Sequence, residues 1–246
     1  MRSVDERHES KTRILDAALH VIRAKGYGAA RIEDICEAAG LTKGSFFHHF
    51  ESKEDLALAA TDYWRVTTRE YFAAAPFHAS ADPVERLLAY VDFRKAGIQG
   101  ELPEFTCLLG TMVQEVYATH PAIREACNGV FDEHLASFEA DIAEAFRVCG
   151  VEGCSAESLS LHIQAVLQGA FILAKARQSP EVAVGCIDHL RRYLELLFVR
   201  PPRNAKADPD AKRRKKGRGQ SRRGGAKRDH AAPRTLGDAQ RKKGLR

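Results

Sequence analysis

The sequence contains no Cys-x-x-Cys pair. Its six cysteines, at positions 36, 107, 127, 149, 154 and 186, are scattered, so neither a zinc site nor a disulfide framework is expected. Cys149 and Cys154 lie closest, without a matching His or Cys pair beside them. No apolar run approaches the length of a membrane span, and Met1-Arg2-Ser3-Val4-Asp5-Glu6-Arg7 lacks the apolar core of a signal peptide. The chain is therefore expected in the cytoplasm and away from membranes. No nucleophile–base or metal constellation stands out, and the dispersed Asp and Glu clusters read as solvated helix faces. An enzyme is not expected, nor a cofactor or metal.

What is present is a globular body with a tail of opposite charge. Hydrophobic residues make up 44% of the 246 positions, enough for one or two domains with a sizeable core. From Arg200 to Arg246 there are 18 Lys and Arg against four Asp, a balance of +14. The first 199 positions hold 20 basic and 29 acidic residues, a balance of −9. Apolar residues almost vanish after Arg200-Pro201-Pro202, so residues 200–246 are expected to be a disordered basic tail. Such a tail is either a solvated appendage or a phosphate clamp indifferent to sequence. Without aromatics it has no surface on which single-stranded bases could stack.

The body reads as helices throughout. Arg13 to Lys25 places Ile14, Ala18, Val21 and Ile22 on one face and ends at Gly26. Arg31 to Ala39 puts Ile32, Ile35 and Ala39 on one face. Gly40 suits the left-handed end of that helix, and Thr42 suits the N-cap of the next. A helix, a Gly-containing turn and a second short helix make a helix-turn-helix. The second helix, about Lys43 to Phe50, suits a DNA groove. Lys43 reaches phosphate, Ser45, His48 and His49 hydrogen-bond base edges or phosphate, and Gly44 lets the backbone come close. Ser52-Lys53-Glu54-Asp55 opens a further helix, with Lys53 offered to an outside anion.

These residues carry a resemblance. Gly40, Lys43, Gly44, Phe50, Ser52, Lys53, Glu54 and Leu56 stand at the spacing of the signature of the TetR/AcrR family of bacterial transcriptional regulators, and residues 10–56 resemble its N-terminal domain. Phe47 and His48 stand where the family usually carries Tyr, so a hydroxyl is missing at Phe47, and His48 or His49 replaces it. The resemblance implies an all-α fold in three parts. Residues 1–56 would be a three-helix DNA-binding domain, 57–199 a helical ligand-binding and dimerisation domain, and 200–246 the tail. It implies DNA contacts from Arg31, Thr42, Lys43, Gly44, Ser45, Phe46, Phe47, His48, His49 and Lys53.

The last two helices show apolar residues on more than one face. By resemblance they pair with a second subunit through Leu159, Ile163, Val166, Ala170, Leu173, Cys186, Leu190, Leu194 and Leu197. A two-fold dimer sets its two reading helices roughly 34 Å apart and so implies a palindromic double-stranded operator. Phe105-Thr106-Cys107-Leu108-Leu109-Gly110 and the stretch from Gln168 to Ala176 resemble the NemR-like branch, where a cysteine in the first motif senses electrophiles. Two signals are thus open. One is a small molecule in an apolar pocket lined by Phe105, Met112, Tyr117, Gln164 and Phe171. The other is an electrophile acting on Cys107 with Lys175 close by. The reading is a homodimeric repressor released by one of these. The alternative is a nucleic-acid-coating protein that binds any sequence through its tail.

Overall fold

A computed structural model describes residues 4–199, with side chains from His8 onward. The basic tail expected over 200–246 lies outside the described residues. Within the described residues ten α-helices follow one another: α1 (Val4–Lys25), α2 (Ile32–Ala39), α3 (Lys43–His49), α4 (Lys53–Ala73), α5 (Pro83–Ala96), α6 (Leu102–Phe105), α7 (Leu108–Val116), α8 (Pro121–Cys149), α9 (Ala156–Arg177) and α10 (Pro180–Leu197). A 3-10 turn, Pro76–Ala79, joins α4 to α5. Among the described residues there is no β-strand.

The caps explain the boundaries. Thr42, Ser52 and Ser155 accept the N–H three residues on, and Asp82 accepts that of Val84 ahead of Pro83 at the first helical position. Each such cap contributes about 1 kcal/mol. Gly40 and Gly150 end α2 and α8 with φ of 63° and 68°, a left-handed conformation open to glycine at no steric cost.

Two cores result. The first gathers Ile14, Leu15, Leu19 and Ile22 of α1 with Ile35, Phe46, Phe50 and Leu56, and Ile32 and Leu41 pack against it half-buried. It then continues into Leu108, Leu109 and Met112 of α7 and Ile123 and Cys127 of α8. The second gathers α5, the second half of α8, α9 and α10 around Leu87, Tyr90, Phe138, Ile142, Ile163, Leu167, Ile187 and Leu194. Cys107 packs against both. α4 runs unbroken through the boundary expected at residue 56, so the first core and the body share a rigid rod.

One expectation needs correcting. α9 is long and apolar enough to cross a membrane by length and composition, which overturns the reading that no apolar run approaches that length. Its apolar residues Leu159, Ile163, Leu167, Ala170, Phe171 and Ala174 are buried against protein.

Candidate nucleic-acid interface and effector cavity

α3 has two sides. Phe46 is fully buried, with ring centres 5.2 Å from Phe47 and 5.5 Å from Phe50. Ser45 is buried beside it. Thr42, Lys43, Gly44, Phe47 and His48 face outward, and Phe47 is 56% exposed. Arg13 holds the turn before α3 by donating to the Ala39 carbonyl at 2.6 Å.

Several of the residues expected to touch DNA take other places. Phe46 and Ser45 face the core, because a seven-residue helix can lie on its scaffold only by burying one side. Lys53 donates from Nζ to the carbonyls of Tyr27, Gly28 and Ala30 at 2.9, 3.3 and 3.1 Å, over the Tyr27 ring at 4.4 Å. It ties α4 to the turn after α1, which is where its charge is used. His49 is half-buried, its Nε2 2.7 Å from Ser10 Oγ, so the outward imidazole is that of His48. Arg31 is exposed and donates to Asp34 at 2.8 Å, and Lys43 pairs with Glu33. Arg31, Lys43, Phe47 and Lys53 share a surface hollow of about 260 Å³.

A larger cavity, about 360 Å³, opens inside the body between α4, α5, α8 and α9. Phe105, Gln164 and Phe171 of the expected pocket line it, and so does Cys107. Met112 does not, since it is fully buried in the core beneath the helix-turn-helix. Tyr117 is 60% exposed at the end of α7. Lys175 lines a neighbouring hollow of about 290 Å³, where Cys107 also shows, and donates to Thr111 Oγ1 at 3.0 Å. Burial draws the Lys175 ammonium below the ordinary lysine range, an effect that the nearby Cys107 opposes. Trp64, Phe72, Phe93, Arg94, Phe131 and His134 complete the larger cavity. Sequence reasoning missed them, because Trp64 and Phe72 read as ordinary stripe residues of a long helix. The one available signal was the aromatic density of Tyr63 to Phe72 and Tyr90 to Phe93.

Burial holds His134 down to about 3, with Arg94 adding to the effect, so the imidazole is neutral beside the Tyr90 hydroxyl, 3.0 Å from its Nε2.

Two side chains join this body to the helix-turn-helix. Glu115, on α7, accepts from the Gly28 N–H at 2.7 Å. Its carboxylate sits so close to Gly26, at φ +86°, that a Cβ there would collide with Oε1. Arg23, near the end of α1, donates to the carbonyls of Glu104 and Thr106 at 3.0 and 3.5 Å over the Trp64 ring.

The face expected for dimerisation also needs correcting. Leu159, Ile163, Ala170, Leu190 and Leu194 are buried in the protomer's own core, and Val166, Cys186 and Leu197 are half-buried. Leu173 is exposed, and with it Leu161 (59%), Ile172, Tyr193 and Leu196 (76%). Both helices do carry two apolar faces. The fuller one packs on α8 and α5, and the sparser one stays outside.

A helix-turn-helix carried beneath a helical body with an interior cavity defines a DNA-binding transcriptional regulator. The model of bacterial regulatory proteins of the tetR family matches residues 14–60, and that of the LmrA/YxaF-like transcriptional regulator C-terminal domain matches residues 83–183. The chain belongs to the TetR family, whose members bind operators, act as dimers and are not enzymes. It is similar to the HTH-type transcriptional regulator LmrA of Bacillus subtilis, with 26% identity over 68% of this chain and 86% of that protein. It is similar to the HTH-type transcriptional repressor DhaR of a Mycobacterium species, with 25% identity over 68% of this chain and 83% of that protein. The solved reduced form of E. coli NemR has a TM-score of 0.66 over 79% of this chain and all of that one. At 17% identity that likeness shows the fold alone.

Proposed function

We propose that the chain is a homodimeric repressor that reads a palindromic operator with α3 and releases it when a small molecule enters the cavity of about 360 Å³. Its working place is the compartment that holds its DNA, the cytoplasm. The observation that carries this is the outward face of α3, where Lys43, Gly44, Phe47 and His48 stand clear of a fully buried Phe46. Lys43 is suited to phosphate and His48 to a phosphate or base edge. The dimer is assigned to the exposed Leu161, Ile172, Leu173, Tyr193 and Leu196, whose helices also carry Gly169 and Gly185 with open space above them. Large exposed apolar side chains on two adjoining helices suit an interface.

The test is a gel shift on DNA adjoining the chain's own gene, using full-length protein. Lys43→Ala with His48→Ala is expected to weaken specific binding more than tenfold while the fold survives. Equal binding by the double variant, or binding lost only with residues 203–246, sinks the reading in favour of a sequence-blind basic tail.

A second signal is supported by Cys107, which opens on both cavities near Arg23 and Lys175. Release of DNA by a mild thiol-reactive electrophile, lost in Cys107→Ser, is the expected outcome for that route, and release that persists in the variant excludes it.

A further inference from the structure

The wall of the large cavity carries two polar groups that the protein leaves without a full set of partners. Arg94, half-buried, has its Cζ 5.3 Å from the Phe72 ring centre and 5.9 Å from that of Tyr90. Its Nη1 donates to the Tyr90 hydroxyl at 3.1 Å and lies 3.5 Å from His134 Nε2. Among the described residues no carboxylate pairs with it, whereas Arg86 and Arg191 in the same body each hold two acids. Glu104, the one carboxylate among the described residues of the cavity wall, is occupied by the Glu101 N–H at 2.7 Å. The neutral His134 adds no negative charge. With Nη1 taken by the Tyr90 hydroxyl, the edge of the guanidinium left to a carboxylate is that of Nε and Nη2, which can meet it in two parallel bonds.

Gln164 is the second group. It is 8% exposed, lines the cavity, and its Oε1 has no hydrogen-bond partner among the described residues. A buried carbonyl oxygen without a donor is rare in a native protein and asks for one from outside. The remaining wall, with Trp64, Phe93, Phe105 and Phe131, is aromatic, and a volume of about 360 Å³ is at the small end of ligand cavities.

We infer that the cavity binds a planar aromatic monocarboxylate of one or two rings bearing a hydroxyl or amino group. The carboxylate takes the free edge of Arg94, the ring lies among the aromatic side chains, and the distal donor serves Gln164 Oε1. This inference rests on the reading of the cavity as the effector site and names what fills it.

The experiment is calorimetry on the full-length protein with 4-hydroxybenzoate, 4-hydroxycinnamate and 6-hydroxy-2-naphthoate, each against its methyl ester and its dehydroxylated parent. At least one acid is expected to bind ten times or more tighter than its ester. Arg94→Gln should abolish that ratio, and Gln164→Leu should abolish the advantage of the hydroxyl. An ester that binds as well as its acid, a ratio that survives Arg94→Gln, or no binding by any acid at millimolar concentration overturns the inference. Should Arg94→Gln fail to fold, the acid-to-ester ratio of the unaltered protein decides alone. The same ligands are added to the DNA complex. Acid selectivity without DNA release keeps the ligand class and removes the effector role. Release by neutral esters alone does the reverse.

Discussion

Phe46 and Phe47 are adjacent in the chain and opposite in use. Phe46 is fully buried under α3 and Phe47 is 56% exposed beside Lys43. Truncating a buried Phe costs about 3–5 kcal/mol, so Phe46→Ala is expected to unfold the helix-turn-helix, seen as an early transition in urea. Phe47→Ala should stay within about 0.5 kcal/mol, as exposed substitutions do, and lose affinity only in a gel shift. His134 gives a pH signature. Its folded value of about 3 lies below the ordinary histidine value of 6.5, so as pH falls from 6.5 toward 3 the unfolded chain gains a proton that the folded one refuses. Stability from this group is complete well above pH 6.5 and declines as the solution is acidified, by about 1 kcal/mol at pH 5.5. His134→Gln should flatten the fall of Tm between pH 7 and 5.5, and an unchanged slope would refute the assignment. At this scale the sequence was only half legible. The helical spacing around Gly40 and Thr42 places α3, but the place of Lys53 depends on three carbonyls of a turn some twenty-five positions away.

Elements are where the periodicity of the chain was both most informative and most misleading. The existence of α9 and α10, and their double apolar faces, follow from spacing alone. Which face stays outside does not, because hydrophobic residues at helical intervals look the same whether they meet α8 or a second subunit. Leu196→Glu tests the corrected face. It should leave the protomer folded and shift the protein from dimer to monomer in analytical ultracentrifugation, whereas Leu194→Glu, at a fully buried site, should unfold it. The cavity shows the same limit. Phe105 and Phe171 lie in the two stretches that carry the family resemblance, while Arg94 and His134 come from α5 and α8 and converge only once the helices pack.

For the whole molecule, the DNA-binding domain and the body are joined by a continuous α4 and by a core running from α1 into α7 and α8. The all-α architecture of the described residues was readable because most elements announce themselves locally through a cap, a proline or a glycine, α7 being an exception with Cys107 and Tyr117 at its ends. Read as a phosphate clamp, the tail belongs to this scale too. Its balance of +14 from Arg200 to Arg246 predicts that deleting residues 203–246 lowers affinity for DNA. The plot of log affinity against log salt should also flatten, by about 0.9 in slope for each phosphate that the tail neutralises. Preference among DNA sequences should be unchanged in a competition assay.

The grip of Glu115 on the turn at Gly26 and Gly28 bears on how such proteins can be recombined. A chimaera carrying the first 56 residues of this chain on the body of another family member would be expected to fold and bind DNA only if the borrowed body supplies apolar residues in place of Leu108, Leu109, Met112, Ile123 and Cys127, which complete the first core. If the borrowed body has no carboxylate at the position of Glu115, ligand binding and DNA binding would become separate events in one molecule. Restoring that single acid should reconnect them, and the modular appearance of the fold would then hide an interdependence seated in one turn.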